Sequence, residues 1–329
     1  MLHPLAHLYS QRRQRYEQSA EQLHTGQLYP GSTRASVDAY PQRAVGMPEG
    51  PEIRRAADQI EAALKADPLV SVHFGLDHLK PQEKRLTGSR LTGVDTLGKA
   101  MLSRFDNGLT LYTHNQLYGR WVTGPADLQP DTRRQLRVAL ITSRSAAHLY
   151  SASTIELLND QQLRAHPFLS RLGPDILHPT TDPSCLLDRL MQPAFRKRRL
   201  GHLLTDQSFV AGLGNYLRCE ILFASRLHPA IRPVDCDPVQ LTRLAEAMVR
   251  LPAQSYATGG ITNDLTVAQR LMGAGASFEQ ARFYLFRRDG LPCYRCGHSI
   301  SRAHNAGQTC YLCSQCQPAP AGQNGSFLS

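Results

Sequence analysis

The chain has 329 residues, 41% of them hydrophobic and 19% charged, a balance that suits folded cores spread over two or three domains. No run of 18 apolar residues is present and the N-terminus lacks the apolar stretch of a secretory signal, so neither a membrane span nor secretion is expected. A formal net charge of +10 favours a polyanionic partner.

Residues 1–46 are polar and show no sustained periodicity, so they are expected to be disordered or absent from the mature protein. At Met47-Pro48-Glu49-Gly50-Pro51-Glu52-Ile53 the chain reads as if a protein began there. Pro51 suits a first helical turn, and Ile53, Ala56, Ala57, Ile60, Ala63 and Leu64 share one face, which predicts a helix over about 51–65. Loss of Met47 would leave Pro48 with a free secondary amine beside Glu49. Such an amine can attack an aldehyde-like carbon to form an iminium, with the neighbouring carboxylate as general acid or base. A helix start with acidic residues in its first turn is the structural alternative.

After this helix the period changes to two. Strands are expected at 69–74, 89–97, 100–105, 109–112, 119–122, 137–141 and 148–150, with Asp106-Asn107-Gly108 as a hairpin turn. Many short strands with turn signals predict a β-sandwich or barrel, with the first helix packed against it. From about Gln161 the pattern is helical. Leu186, Leu187, Leu190 and Met191 share a face, as do Leu241, Leu244, Ala245 and Met248. A basic run, Phe195 to Arg199, lies between them. Gly212-Leu213-Gly214 suits a tight turn before a helix near Asn215, whose free amides would fit a phosphate; an ordinary helix–helix turn is the alternative.

Cys293-x2-Cys296, then 16 residues, then Cys313-x2-Cys316 forms two thiolate pairs able to close one tetrahedral Zn²⁺ site. A module this small needs the metal to fold, so the zinc is expected to be structural. Arg287, Arg288, Arg295 and Arg302 add charge to it. Cys310 reads as a bystander, and Cys185, Cys219 and Cys236 are scattered through expected helices. Unpaired thiols of this kind suit a reducing cytoplasm. Residues 318–329 read as a loose tail.

Taken together, from Met47 to Gln317 the chain resembles the formamidopyrimidine-DNA glycosylase and endonuclease VIII family. The resemblance rests on Pro48-Glu49-Gly50-Pro51-Glu52, Gly98-Lys99, His114-Asn115-Gln116-Leu117-Tyr118-Gly119, Gly212-Leu213-Gly214-Asn215-Tyr216 and the four-cysteine finger. The Pro-Glu-Gly-Pro-Glu-Ile start and the Asn-Gln-Leu-Tyr-Gly run look like the endonuclease VIII branch. The resemblance implies an α+β protein in parts: a catalytic β-sandwich at 47–160, a helix–two-turn–helix domain at 161–284 and a zinc-finger hairpin at 285–317.

It further implies excision of oxidised pyrimidines with cleavage of the abasic strand, in base-excision repair. Pro48 would hold C1′ as a Schiff base, and Glu49 would serve base release. Lys99, in a Gly-Lys pair on a strand, would donate the proton for β-elimination. Gln116, Leu117 and Tyr118 match the loop that fills the gap left by the flipped nucleotide. Arg171 and Asn215 match phosphate contacts. The implied partner is double-stranded DNA with oxidised bases or abasic sites, bound by a monomer without membrane contact.

Two features depart from the pattern. Gln308 stands where the family commonly has a phosphate-binding Arg linked to δ-elimination, so weaker phosphate grip and altered δ-elimination are expected, with Arg302 or His304 as substitutes. Pro48 lies inside the chain, where its nitrogen is a delocalised amide. Translation from Met47, or cleavage there, is therefore expected of a working lyase. An oxidised-purine glycosylase, and a non-catalytic DNA-binding protein that retains residues 1–46, are the alternative readings.

Overall fold

The computed structural model describes residues 48–320, except 117, 306 and 307 and the side chains of 304, 305 and 308. The expected extension at 1–46, and most of the expected tail, lie outside the described residues.

Helix α1 (Gly50–Leu64) starts as its sequence predicts. Pro51 occupies the first turn, and the Glu52 carboxylate reaches back to the Glu49 amide at 3.1 Å. Ile53, Ala57, Ile60 and Leu64 are each no more than 1% exposed, and Ala56 and Ala63 flank them. Burial of each larger side chain contributes about 2 kcal/mol.

Two antiparallel four-stranded sheets follow. One has the order β1-β6-β7-β5, from β1 (Leu69–Phe74), β5 (Arg120–Pro125), β6 (Leu136–Thr142) and β7 (Ser145–Tyr150). The other has the order β2-β3-β4-β8, from β2 (Leu91–Leu97), β3 (Ala100–Phe105), β4 (Leu109–His114) and β8 (Thr154–Asn159). A short helix, α2 (Glu83–Leu86), joins β1 to β2. The apolar face of α1 packs against strands of both sheets, and Phe74, Leu111, Trp121, Leu140, Leu149 and Ile155 share its core.

The predicted strands are all present, with boundaries moved by at most three residues. Strand β8 is an addition. Its two buried residues, Ile155 and Leu158, lie on opposite faces in different clusters, so the strand carries no period-two signal. Gly98-Lys99 is corrected: the pair forms the two-residue turn between β2 and β3, and does not lie on a strand. Gly98 takes φ +60°, which a side chain would resist, and its N–H is held by Asp175 Oδ2 at 2.6 Å.

The second half is helical, from α3 (Asp160–Arg164) through α4 (Pro183–Met191), α5 (Leu200–Leu203), α6 (Asn215–Ala224), α7 (Pro238–Ala257), α8 (Leu265–Gly273) and α9 (Phe278–Ala281). Leu186, Leu190, Leu217, Ile221, Leu244, Met248 and Leu251 meet in one core. Met191 is a correction: it is 43% exposed at the end of α4, too close to the helix terminus to be carried into the core. Cys236 is another, lying between a 3₁₀ turn and α7 and not within a helix.

The chain ends in a hairpin of β9 (Ser301–Asn305) and β10 (Gln308–Leu312), which packs on α6. Arg288 and Arg295 serve packing more than charge: Arg288 is 4% exposed over the Tyr294 ring, and Arg295 lies 4.5 Å over Phe223. Among the described residues no helix is long and apolar enough to cross a membrane.

Candidate active site

The site forms where the start of α1 meets the start of α6. Gly50 N–H donates to Gly212 O at 2.8 Å, which brings the two glycine turns into contact. A Cβ on Gly98 would crowd Ala211 and Gly212, so the β2–β3 turn closes against the same point. Three segments far apart in sequence therefore converge, and each carries at least one candidate group.

Glu49 is 2% exposed and sits at the N-terminus of α6. Its Oε2 accepts from Gly214 N at 2.7 Å and Leu217 N at 3.3 Å, and its Oε1 from Tyr216 N at 2.8 Å. A Cβ on Gly214 would overlap this carboxyl, so glycine is required there. The expectation of a phosphate on these amides is thus corrected: Glu49 is the anion that this helix start receives.

Burial raises the Glu49 carboxyl to about 7; the charge of Lys99 opposes the rise, Glu52 adds to it, and the Tyr216 and Leu217 amides oppose it. The group is therefore poised to give or take a proton near neutral pH. Lys99, half-buried in its turn, is lowered by burial, while Glu49 and Glu52 draw it back up. Pro48 is half-buried and directly precedes Glu49.

Sequence reasoning missed the brace behind this group. Tyr216 Oη lies 3.1 and 3.2 Å from the Glu52 carboxylate and 3.0 Å from Ser255 Oγ, and Arg55 donates to Glu52 at 3.1 Å and to Ser255 O. It ties α1 to α6 and α7. Glu52 and Tyr216 were visible as residues, but nothing local pairs positions 164 apart.

The other candidates spread outward from this point. Gln116, at φ +49°, is clasped in the loop after β4: its Nε2 donates to Thr154 Oγ1 at 2.7 Å, and Ser153 Oγ donates to its Oε1 at 2.5 Å. Leu117 lies outside the described residues. Tyr118 is 68% exposed, and its carbonyl accepts from Arg134 at 2.6 Å. Its side chain thus stands in solvent while its backbone is held. Arg171 is exposed on a 3₁₀ turn, with its Nε on Pro167 O at 2.9 Å.

Asn215 opens α6, and its Nδ2 donates to Thr309 O of the finger at 2.9 Å. Gln308 begins β10; its side chain, like that of His304, lies outside the described residues. Arg302 on β9 is exposed.

Cys293, Cys296, Cys313 and Cys316 place four sulfurs within 4.8 Å of one another. The pairs Cys296–Cys313 and Cys293–Cys316 are 3.5 and 3.9 Å apart. Four ligands at about 2.3 Å from a central ion in tetrahedral array lie about 3.8 Å apart, so the cluster fits one metal ion. Cys310 is not part of it.

Comparisons with known proteins agree with this layout. Residues 47–153 match the formamidopyrimidine-DNA glycosylase N-terminal domain, and residues 172–266 match the formamidopyrimidine-DNA glycosylase H2TH domain. Endonuclease 8 of Escherichia coli (strain K12 / DH10B) is 47% identical over 271 residues, 82% of this chain and 100% of that protein. Endonuclease 8 of Shigella sonnei gives the same identity and coverage. Among solved structures, the Lactococcus lactis formamidopyrimidine-DNA glycosylase bound to abasic-site DNA overlays with a TM-score of 0.67 at 19% identity, covering 82% of this chain and 100% of that one. A complex of the same enzyme with DNA containing an oxidised pyrimidine gives 0.69 at 19% identity, with 83% and 100% covered.

Proposed function

Because the chain belongs to the formamidopyrimidine-DNA glycosylase family, we propose that it is a DNA glycosylase and abasic-site lyase of the endonuclease 8 type, acting in base-excision repair with oxidised pyrimidines as substrates. The observation that carries this reading is the carboxyl of Glu49, buried on the α6 amides and raised to about 7, adjacent to Pro48 and within the field of Lys99. A buried carboxyl poised near neutrality is suited to proton transfer at a reacting sugar.

Pro48 is the nucleophile. Its nitrogen attacks C1′ of the damaged nucleotide, and the C1′–N bond to the base breaks. Glu49 supplies a proton to the departing base and returns to its carboxylate, held by three backbone N–H groups. The adduct becomes the iminium when the C1′–O4′ bond breaks, O4′ taking the proton that the prolyl nitrogen gives up. The iminium acidifies C2′; water takes that proton, and the C3′–O bond to the 3′ phosphate breaks. Lys99, lowered by burial, both pairs with this phosphate and gives it a proton as it leaves.

The amine must be free for the first step. The working chain therefore begins at Pro48, and a family match that begins at Met47 supports this. Gln116, Leu117 and Tyr118 take the place of the flipped nucleotide. Arg171 and Asn215 hold phosphates, and Gln308 contributes a neutral contact where a charged one would favour δ-elimination. The sandwich at 47–160 does the chemistry, while the helices at 161–284 and the finger at 285–317 grip the duplex. Cys293, Cys296, Cys313 and Cys316 hold one structural Zn²⁺, which supplies rigidity to the hairpin. The protein acts as a monomer on nucleoid DNA in the cytoplasm.

Borohydride trapping on a thymine-glycol duplex tests the reading. The chain beginning at Pro48 should be captured covalently, and the chain beginning at Met1 should not. Tight binding with capture of neither form would replace the lyase by a binding-only protein. A parallel panel with a formamidopyrimidine lesion tests the substrate class, and faster excision of that lesion would overturn the pyrimidine assignment.

A further inference from the structure

Two cysteines outside the metal cluster face each other where α6 meets the finger. Cys219 lies one turn into α6, and Cys310 is the middle residue of β10. Their sulfurs are 4.0 Å apart, and the two residues are 0% and 1% exposed. Alternation along β10 puts Cys310 and Leu312 on its buried face, with Thr309 and Tyr311 more exposed.

The backbone on both sides of Cys310 is pinned to α6. Tyr311 N–H points at Cys219 Sγ at 3.4 Å, and Thr309 O accepts from Asn215 Nδ2 at 2.9 Å and Arg218 Nη2 at 3.2 Å. The facing sulfurs are thus held by secondary structure. The hydrogen bond from the Cys219 thiol lowers the Cys310 thiol to about 7; burial opposes this, and the Arg218 charge adds to it. Burial raises Cys219. Two thiols held this close can act as attacking and resolving sulfurs.

We propose that Cys219 and Cys310 form an oxidisable thiol pair, which a hydroperoxide converts to a disulfide that locks the finger hairpin onto α6. The Cys310 thiolate attacks one peroxide oxygen, and the O–O bond breaks. With hydrogen peroxide this leaves a sulfenic acid on Cys310 and, after the hydroxide takes a proton, releases water. The Cys219 sulfur then attacks the Cys310 sulfur. The S–O bond breaks, a second water leaves, and the thiols have given two electrons to the peroxide.

A disulfide bond is about 2 Å long, so the sulfurs approach by about 2 Å, a movement that rotation about the two Cα–Cβ bonds supplies. The bond would hold Thr309 against α6, keeping the Asn215 amide on its carbonyl and away from a phosphate. This last consequence rests on the proposed DNA-binding role, whereas formation of the bond does not.

The test treats the full chain, purified with its metal, with equimolar hydrogen peroxide. Peptides mapped without reduction should contain a Cys219–Cys310 link, with a mass loss of about 2 Da and unchanged zinc content. DNA affinity at fixed salt should fall several-fold and return with dithiothreitol. The C310V variant should yield no link, and its DNA affinity should not respond to peroxide. Cys219 and Cys310 recovered as free thiols, or oxidation confined to the four clustered cysteines with zinc loss, would overturn the proposal. A link that leaves DNA affinity unchanged would overturn the lock without touching the glycosylase reading, which the trapping experiment judges separately.

Discussion

At the scale of single residues, Glu49 carries a titration shift that reaches neutral pH. Its carboxyl is raised to about 7, while an unfolded carboxyl titrates near 4.5. The folded chain therefore binds this proton more tightly than the unfolded chain does. The sign follows: the contribution is present at low pH and is lost as pH rises from about 4.5 to about 7, on the order of 3 kcal/mol in all. Denaturant unfolding of wild type and E49Q across that range should differ by this slope, with E49Q the flatter. Parallel curves would show that the group titrates normally. On the proposed mechanism the same substitution removes the proton donor, so base release should fall at least about 100-fold, and the limb near pH 7 in its rate profile should vanish. Cleavage of a preformed abasic site should fall much less, because Pro48 and Lys99 are untouched; gel assays of the two substrates separate the cases.

At the scale of elements, two helix ends make the site and one helix face holds it in place. Gly214 leaves room for the Glu49 carboxyl at the start of α6. G214A puts a methyl where that carboxyl sits and should cost about 1–3 kcal/mol. It should also slow base release more than it weakens DNA binding, which turnover and gel-shift measurements on one preparation resolve. The face of α1 carries a purely structural load. I60A empties a fully buried position between the sheets and should destabilise by about 2–5 kcal/mol in a urea titration, with little effect on DNA affinity once folded. The α1 period was legible in sequence because its burial is one-sided and spaced at three and four residues. Strand β8 and the Gly98-Lys99 turn were less legible: the first buries few residues, and the second is shaped by Asp175 from another part of the chain.

At the scale of the whole molecule, the finger and the helices form one surface. Asn215 and Arg218 reach the finger carbonyl at Thr309, and Gln317 reaches back to Leu227 O at 2.9 Å. Removing the zinc proposed for the four clustered cysteines should release this docking. Treatment with a strong zinc chelator should lower DNA affinity at least about tenfold, whereas the unfolding transition of the sandwich should persist; circular dichroism and gel shifts read the two. With a formal net charge of +10 the chain should also show a steep linear fall of log K with log salt. A flat salt dependence would remove phosphate contacts from the account.

Local sequence set most of the elements and the chemical inventory. A one-sided helix, period-two strands, an Asn-Gly turn and two Cys-x2-Cys pairs are local patterns, and local sterics or ligand spacing dictate their outcome. Motif order added Pro48, Glu49, Lys99 and the loop at 116–118. What these groups face came from long-range packing. It put Glu49 rather than a phosphate on the α6 amides, braced Glu52 with Tyr216 and Ser255, and turned Cys310 from a bystander into the partner of Cys219. The reason is physical. A buried charge or thiol takes its character from neighbours that are close in space, and here those neighbours come from positions 91 to 168 residues away.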